Sequence, residues 1–144
     1  MTDSEQQTPK PTRLAPIVMP DNKFFWDAAK EDRFVGQRCG DCGHYRFPLR
    51  PMCPKCHSLN TEEVELSGKA KVVSWIRPRH PMPFGFKALP TVVVVELEEG
   101  FRFVSNLEGI AFEDVTAGLE VEVAFVETMG KAKVPVFRPL GGGA

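Results

Sequence analysis

The chain has 144 residues, with 18 Lys and Arg against 19 Asp and Glu and a formal net charge of −1. That length makes one ordinary domain or two small ones, and the balanced charge argues against a dedicated nucleic-acid binder, which carries a basic excess. No stretch approaches the roughly eighteen consecutive apolar residues of a membrane span.

Residues 1–20 set Pro9, Pro11, Pro16 and Pro20 among polar side chains, the composition of a flexible, extended arm. Met1–Lys10 lacks the apolar centre of a secretory signal, so a cytoplasmic protein is expected. Leu14, Ile17, Val18 and Met19 offer the arm a few apolar anchors. Asp21 is placed to N-cap a helix running to about Asp32, within a segment spanning 21–33. On it Phe24, Phe25 and Ala28 form one apolar side, widened by Trp26 and Ala29. Three large aromatics either cover the chain's own core or dock a partner. The small module that follows offers little surface to bury them, which favours a docking helix.

Next come all four cysteines of the chain, as Cys39-Gly-Asp-Cys42 and Cys53-Pro-Lys-Cys56 with ten residues between the pairs. Each tight turn lets two thiolates reach one ion, and the intervening loop folds the second knuckle over the first. A closed tetrahedral site is the reading this spacing supports, with zinc as the metal. Two disulfides are disfavoured in a reducing compartment, and neither pair has the strand-to-helix setting of a redox Cys-x-x-Cys. Rubredoxins share the pattern, so iron is the alternative metal. His44 and His57 follow the pairs closely but are surplus to a four-thiolate set. Phe34–Arg38 and Tyr45–Phe47 read as short strands, Pro48 and Pro51 as the loop into the second knuckle, and Ser58–Glu62 as a linker. The ribbon, residues 34–62, buries too little apolar surface to fold alone. Metal must supply on the order of 10 kcal/mol.

From Glu63 the pattern turns to strands. Glu63-Val-Glu-Leu66 alternates, Gly68 turns the chain, and Lys69–Arg77 follows. Thr91–Leu97 holds the run Val92-Val-Val-Val95, and a turn at Glu99-Gly100 leads into Phe101–Leu107. Phe112–Ala117 is a short turn of helix, and Leu119–Phe125 alternates as a half-buried strand. Val134–Arg138 reads as an edge segment, because Pro135 and Pro139 lack a ladder donor. Five or so strands in residues 63–140 suggest a small barrel of oligonucleotide/oligosaccharide-binding (OB) type, with an open sandwich as the alternative. Gly141–Ala144 is a tail. Trp75 and Phe103 are candidates for core or for stacking platforms, Trp75 more for core. Glu96, Glu98, Glu99, Glu120 and Glu122 would repel a phosphate backbone.

The order of these features is more specific than any one of them. Phe25-Trp26 precedes Arg38-Cys-x-x-Cys-Gly43, then Phe47-Pro48, Arg50-Pro51, Cys53-Pro-x-Cys56 and Ser58. Ser67-Gly68, Val73-Ser-Trp75, Pro90 with its valine run, Ser105-Asn106-Leu107, Gly118, Val121-Glu-Val123 and Phe137-Arg-Pro139 follow. Over residues 21–140 this resembles the acyl-CoA-associated zinc-ribbon/OB-fold family, formerly a domain of unknown function. The resemblance implies a mainly β chain with an N-terminal helix, a rubredoxin-like zinc ribbon and a C-terminal five-stranded OB-fold barrel. Members are accessory subunits of thiolase-like enzymes, of aldolases that cleave steroid side-chain CoA thioesters, and of enoyl-CoA hydratases. It therefore implies a hetero-oligomer with a separate thiolase-like chain, or an enoyl-CoA hydratase, and a role in lipid CoA-thioester metabolism.

Beside that resemblance, the residues offer no catalytic set of their own. Every cysteine is committed to metal, and a closed four-thiolate site leaves no position for water. His80 is the one histidine away from the knuckles. Its loop, Arg77-Pro-Arg-His-Pro-Met-Pro-Phe84, is the better ligand candidate. Arg77, Arg79, His80 and Lys87 offer cations for phosphates, while Phe84 and Phe86 offer faces for an adenine. The expectation is a subunit, not a free-standing enzyme, that binds a thiolase-superfamily partner and helps shape an acyl-CoA site. A single-strand nucleic-acid binder and a rubredoxin-like electron carrier are the alternatives.

Overall fold

The computed structural model describes residues 11–141. The expected arm and tail therefore lie partly outside the described residues. Helix α1 (Lys23–Lys30) leads into β1 (Val35–Cys39), β2 (Tyr45–Arg46) and β3 (Thr61–Glu65), followed by β4 (Lys69–Ile76), β5 (Thr91–Leu97), β6 (Arg102–Leu107), β7 (Glu120–Glu127) and β8 (Lys133–Pro139). Single 3₁₀ turns at Phe112–Asp114 and Met129–Lys131 precede β7 and β8. Among the described residues, no helix is long and apolar enough to cross a membrane.

The helix starts one residue later than expected. Asn22, not Asp21, holds the N-cap position, and its side-chain oxygen accepts from the Met19 amide at 2.7 Å, so it orders the approach rather than the first turn. The ribbon is a three-stranded antiparallel sheet in the order β2-β1-β3. Here the structure corrects the sequence reading. The alternating segment at Glu63–Leu66, expected to open the barrel, pairs with β1 from Val35↔Glu65 to Cys39↔Thr61. Its alternation reflects a sheet with one wet face, but that sheet is the ribbon's.

Gly68 then turns the chain at φ +79, and a Cβ there would stand 2.6 Å from Val123 Cγ1. Only glycine fits both constraints. The remaining strands close a barrel in the order β4-β5-β6-β8-β7, the five-stranded OB arrangement. Along β5, Thr91, Val93, Val95 and Leu97 face inward and are buried, the period-two consequence of the pleat. β8 is not an edge, contrary to the proline argument. It pairs with β7 over its full length and meets β6 in parallel at Leu107↔Phe137. Ser105 Oγ donates to the Pro135 carbonyl at 2.6 Å, bridging β6 and β8 where the ladder is thin. Consecutive Val136 and Phe137 are both fully buried, so β8 is covered on both faces.

Ribbon, helix and barrel share one aromatic cluster centred on Phe103 of β6. Its ring centroid lies 4.3 Å from Phe47, 5.3 Å from Phe34, 6.1 Å from Phe137 and 6.3 Å from Phe25. Phe25 of α1 is thus buried in the chain's own core. Its assignment to a partner-docking face is corrected, because Phe103 of the barrel wall, together with Phe34 at the start of the ribbon, supplies the apolar surface that covers it. Phe24 and Trp26 remain half-buried at the margin of the core. Phe103 is core, and Trp75 packs against the core cluster from a partly exposed position.

The arm is more ordered near the barrel than its proline content suggests. Thr12 Oγ1 donates to the Gly85 carbonyl at 2.6 Å, the Met129 amide donates to the Arg13 carbonyl at 2.8 Å, and Arg13 pairs with Glu108 while covering the Phe86 ring at 4.9 Å. Gly85 has φ +87, and a Cβ on it would lie 2.6 Å from the Thr12 carbonyl oxygen, so the arm and the β4–β5 loop approach backbone to backbone.

Candidate functional site

The two cysteine knuckles are built alike. In the first, the Gly43 amide donates to the Cys39 carbonyl and the Cys39 amide to His44; in the second, the His57 amide donates to the Cys53 carbonyl and the Cys53 amide to Ser58. Gly43 and His57 occupy equivalent left-handed positions, at φ +75 and +62. Cys39 and Cys53 are buried while Cys42 and Cys56 reach the surface. All four Sγ atoms lie within 4.8 Å of one another, with Cys39···Cys56 at 3.5 Å and Cys42···Cys53 at 3.6 Å. A tetrahedron of sulfurs about 2.3 Å from zinc has edges of about 3.8 Å, so the cluster fits one such ion. The spacing is far too long for disulfides, whose sulfurs sit about 2.05 Å apart.

The electrostatics match that geometry. Amides of Cys42 and Asp41 point at Cys39 Sγ, at 3.5 and 3.4 Å, and hold its thiol down at about 5. Cys53 is lowered too: burial opposes this, but the Cys56 and Lys55 amides prevail. At Cys56 the Ser58 amide favours the thiolate, yet desolvation and the three neighbouring sulfurs push the thiol up to about 12. Four thiolates so close together require a cation between them. Zinc bound there would supply folding energy, not an activated water, since a fourth thiolate fills the last position. His44 and His57 are exposed and outside the sulfur cluster.

The sequence-predicted ligand loop lies at one end of the barrel, between β4 and β5. The Arg77 guanidinium is held within the chain, 4.6 Å over the Phe112 ring and 3.7 Å from Glu113. Arg79, His80 and Lys87 are exposed. Arg77, Phe86 and Lys87 share a cavity of about 500 Å³ with Arg13, Asn106 and Phe112. Phe84 and Phe86 also line an adjoining apolar cleft of about 430 Å³, whose other walls include Leu14, Trp26, Phe47 and Val104. Phe84 is 74% exposed at its lip. The structure thus brings together, in one cleft, the helix and the loop that the sequence kept sixty residues apart (Trp26 and Phe86).

Two family models match the chain in tandem. Residues 26–62 match the ChsH2 rubredoxin-like zinc ribbon domain and residues 63–126 the ChsH2 C-terminal OB-fold domain. A protein from Pyrococcus furiosus described as a DUF35 domain-containing scaffold protein is 41% identical over 103 residues, covering 69% of this chain and 74% of its own. This chain belongs to the ChsH2/DUF35 family. A solved structure described as an Ltp2-ChsH2(DUF35) aldolase superposes with a TM-score of 0.78 at 40% identity, covering 88% of this chain and 99% of that one. A probable enoyl-CoA hydratase alpha subunit from Thermomonospora curvata is 40% identical over 138 residues. The match takes in 96% of this chain but only 43% of the hydratase subunit's length. Relatives in the ChsH2/DUF35 family are thus described as scaffolds and as subunits of aldolase or hydratase assemblies.

Sequence reasoning about this ChsH2-type chain missed three groups at the site. Asp41, between the first pair of cysteines, accepts from Ser58 Oγ and from Asn60 Nδ2 (3.0 Å), tying one knuckle to the exit of the other. Arg13 joins the arm to the loop and to Glu108. Arg46, only 1% exposed, lies beneath the second knuckle. None carries a spacing signal: an Asx residue inside a knuckle and an arginine between two aromatics look like ordinary surface positions.

Proposed function

We propose that this chain is a non-catalytic subunit that docks a thiolase-superfamily enzyme and helps form or gate that enzyme's acyl-CoA site. The observation that carries this reading is the composite apolar cleft. Its rims come from the arm, the helix, the ribbon and the barrel loop, so only the assembled fold presents it. Exposed apolar surface rimmed by polar residues is characteristic of interaction sites. The closed sulfur cluster argues for an architectural metal. The kinship with the chain of an aldolase assembly, over nearly all of that chain, supports the choice of partner class. An enoyl-CoA hydratase is the second partner class, on the strength of the Thermomonospora relative. In the acyl-CoA part of the proposal, the exposed Arg79 and Lys87 would meet phosphates while Phe84 and Phe86 offer ring faces. Lipid, including steroid side-chain, thioesters are the substrate class this implies.

Phe84→Asp tests the cleft. Because the ring is largely solvent-exposed, the melting temperature should change little. Placing a charge in a desolvated apolar contact should weaken binding to a purified thiolase-type partner by about tenfold or more, or at least 1.4 kcal/mol. Unaltered affinity by titration calorimetry would move the interface off this cleft.

A further inference from the structure

The buried Arg46 has no role in the reading above. It sits on β2 opposite Gln37 of β1, so its side chain shares a face with Gln37 and, two residues on, with Cys39. Its Nη1 donates to the Arg50 and Pro51 carbonyls, both at 3.2 Å, and to Thr61 Oγ1 at 2.8 Å. Its Nη2 donates to the Ser58 carbonyl at 3.4 Å and the Asn60 carbonyl at 3.0 Å. The first two acceptors lie just before Cys53 and the others just after Cys56. One guanidinium therefore ties the entry of the second knuckle to its exit. The segment between β2 and β3 contains no helix or strand, so its inward carbonyls need a donor from elsewhere. Gln37 adds a parallel tie, accepting the Arg50 amide at 3.0 Å.

Charge points the same way. The five acceptors are four carbonyls and a hydroxyl, all neutral. A guanidinium stays protonated in a protein, and a buried charge is costly without a counter-charge. Four thiolates around one divalent cation carry a net −2. Arg46 lies on the cysteine side of the sheet, and Nε, the one guanidinium nitrogen without an oxygen partner, is buried.

We propose that Arg46 is a positioning residue for the metal: it fixes the second Cys-x-x-Cys knuckle in ligating geometry and offsets the negative charge of the filled site. Lysine, a single point donor, cannot span five acceptors on both sides of the loop. Metal retention should then fall in the order Arg, Lys, Met. Supporting groups around metal ligands are typically worth 10–100-fold in affinity.

The test uses the full-length zinc-loaded protein and two variants, Arg46→Met and Arg46→Lys. Zinc release to a chromogenic chelator is timed, and the cobalt-substituted proteins are compared by their thiolate charge-transfer and d–d bands. Near-ultraviolet circular dichroism monitors the barrel separately. Release at least tenfold faster in Arg46→Met, with altered cobalt bands, intermediate behaviour in Arg46→Lys and an intact barrel signal, is the expected result. Native release rates and native cobalt spectra in both variants would overturn the proposal. If Arg46→Met does not fold, Arg46→Lys decides: faster release supports the clamp, and native release refutes it.

Discussion

Cys39→Ser is expected to empty the metal site and unfold the ribbon. Cys39 is 1% exposed and receives two backbone amides at its sulfur. A serine oxygen is shorter, harder and protonated at neutral pH, so it neither reaches the ion nor offers the charge. Besides the metal, the ribbon is held by the packing of Phe34 and Phe47 on Phe103 and by a small sheet. Its sheet has strands of five, two and five residues, and its outer ion pairs, Arg38–Glu62 and Arg33–Glu65, are exposed and contribute little. Metal binding in such modules is worth about 10–16 kcal/mol, more than the whole stability of many domains. Zinc content should fall from one per chain to near zero, and amide protection should vanish across residues 35–65 while much of the barrel retains it. Hydrogen exchange read by mass spectrometry, alongside metal analysis, checks both. A metal-free variant with a fully protected ribbon would contradict the account.

Phe103→Ala is expected to be the most damaging single change in the barrel. The ring is 5% exposed and touches aromatic side chains from α1, the ribbon and β8. Truncating a buried phenylalanine costs about 3–5 kcal/mol, a large share of the 5–15 kcal/mol that holds a domain together. A fall in melting temperature of roughly 10 °C or more follows. Phe103→Leu, which keeps most of the volume, should cost about 1.5 kcal/mol or less. Because Phe103 joins ribbon to barrel, the two should loosen together. Thermal unfolding followed both by zinc release and by circular dichroism checks this. A ribbon that keeps its melting point while the barrel loses its own would show that the shared cluster is not a coupling element.

What the sequence made legible was whatever repeats at a fixed period or spacing. The cysteine pairs announced a metal because ligand geometry is local. β7 announced itself by alternation, since one of its faces is buried, and β5 by its unbroken run of β-branched valines. Long-range partnership was not legible. Glu63–Leu66 alternates equally well whether its sheet belongs to ribbon or barrel, and only the pairing with β1 assigns it. Pro135 and Pro139 suggested an edge because proline lacks a donor, yet a carbonyl remains, and Ser105 uses the one on Pro135. The aromatic helix was read from a count of apolar side chains against a small ribbon. The count was sound, but the barrel face available to Phe25 is created by tertiary structure. Arg46 was the least legible of all. It stands near Arg38 and Arg50 in sequence, which lie partly or fully in solvent, and burial alone separates it from them.

The cleft redistributes interest within the molecule. The four-sulfur cluster leaves no position open for chemistry, whereas the aromatic cleft is open and lined by arm, helix, ribbon and barrel. Docking should therefore depend on zinc indirectly, through Phe47, which the ribbon contributes to the cleft wall.

The most direct test of the central claim is capture of the native, untagged partner by the zinc-loaded chain from cells that make it, with mass identification and a stoichiometry by light scattering. The account predicts a thiolase-superfamily enzyme in fixed ratio, retained by the native chain and lost with Phe84→Asp. A chain that captures no such enzyme, or that retains its partner unchanged in Phe84→Asp, would contradict it.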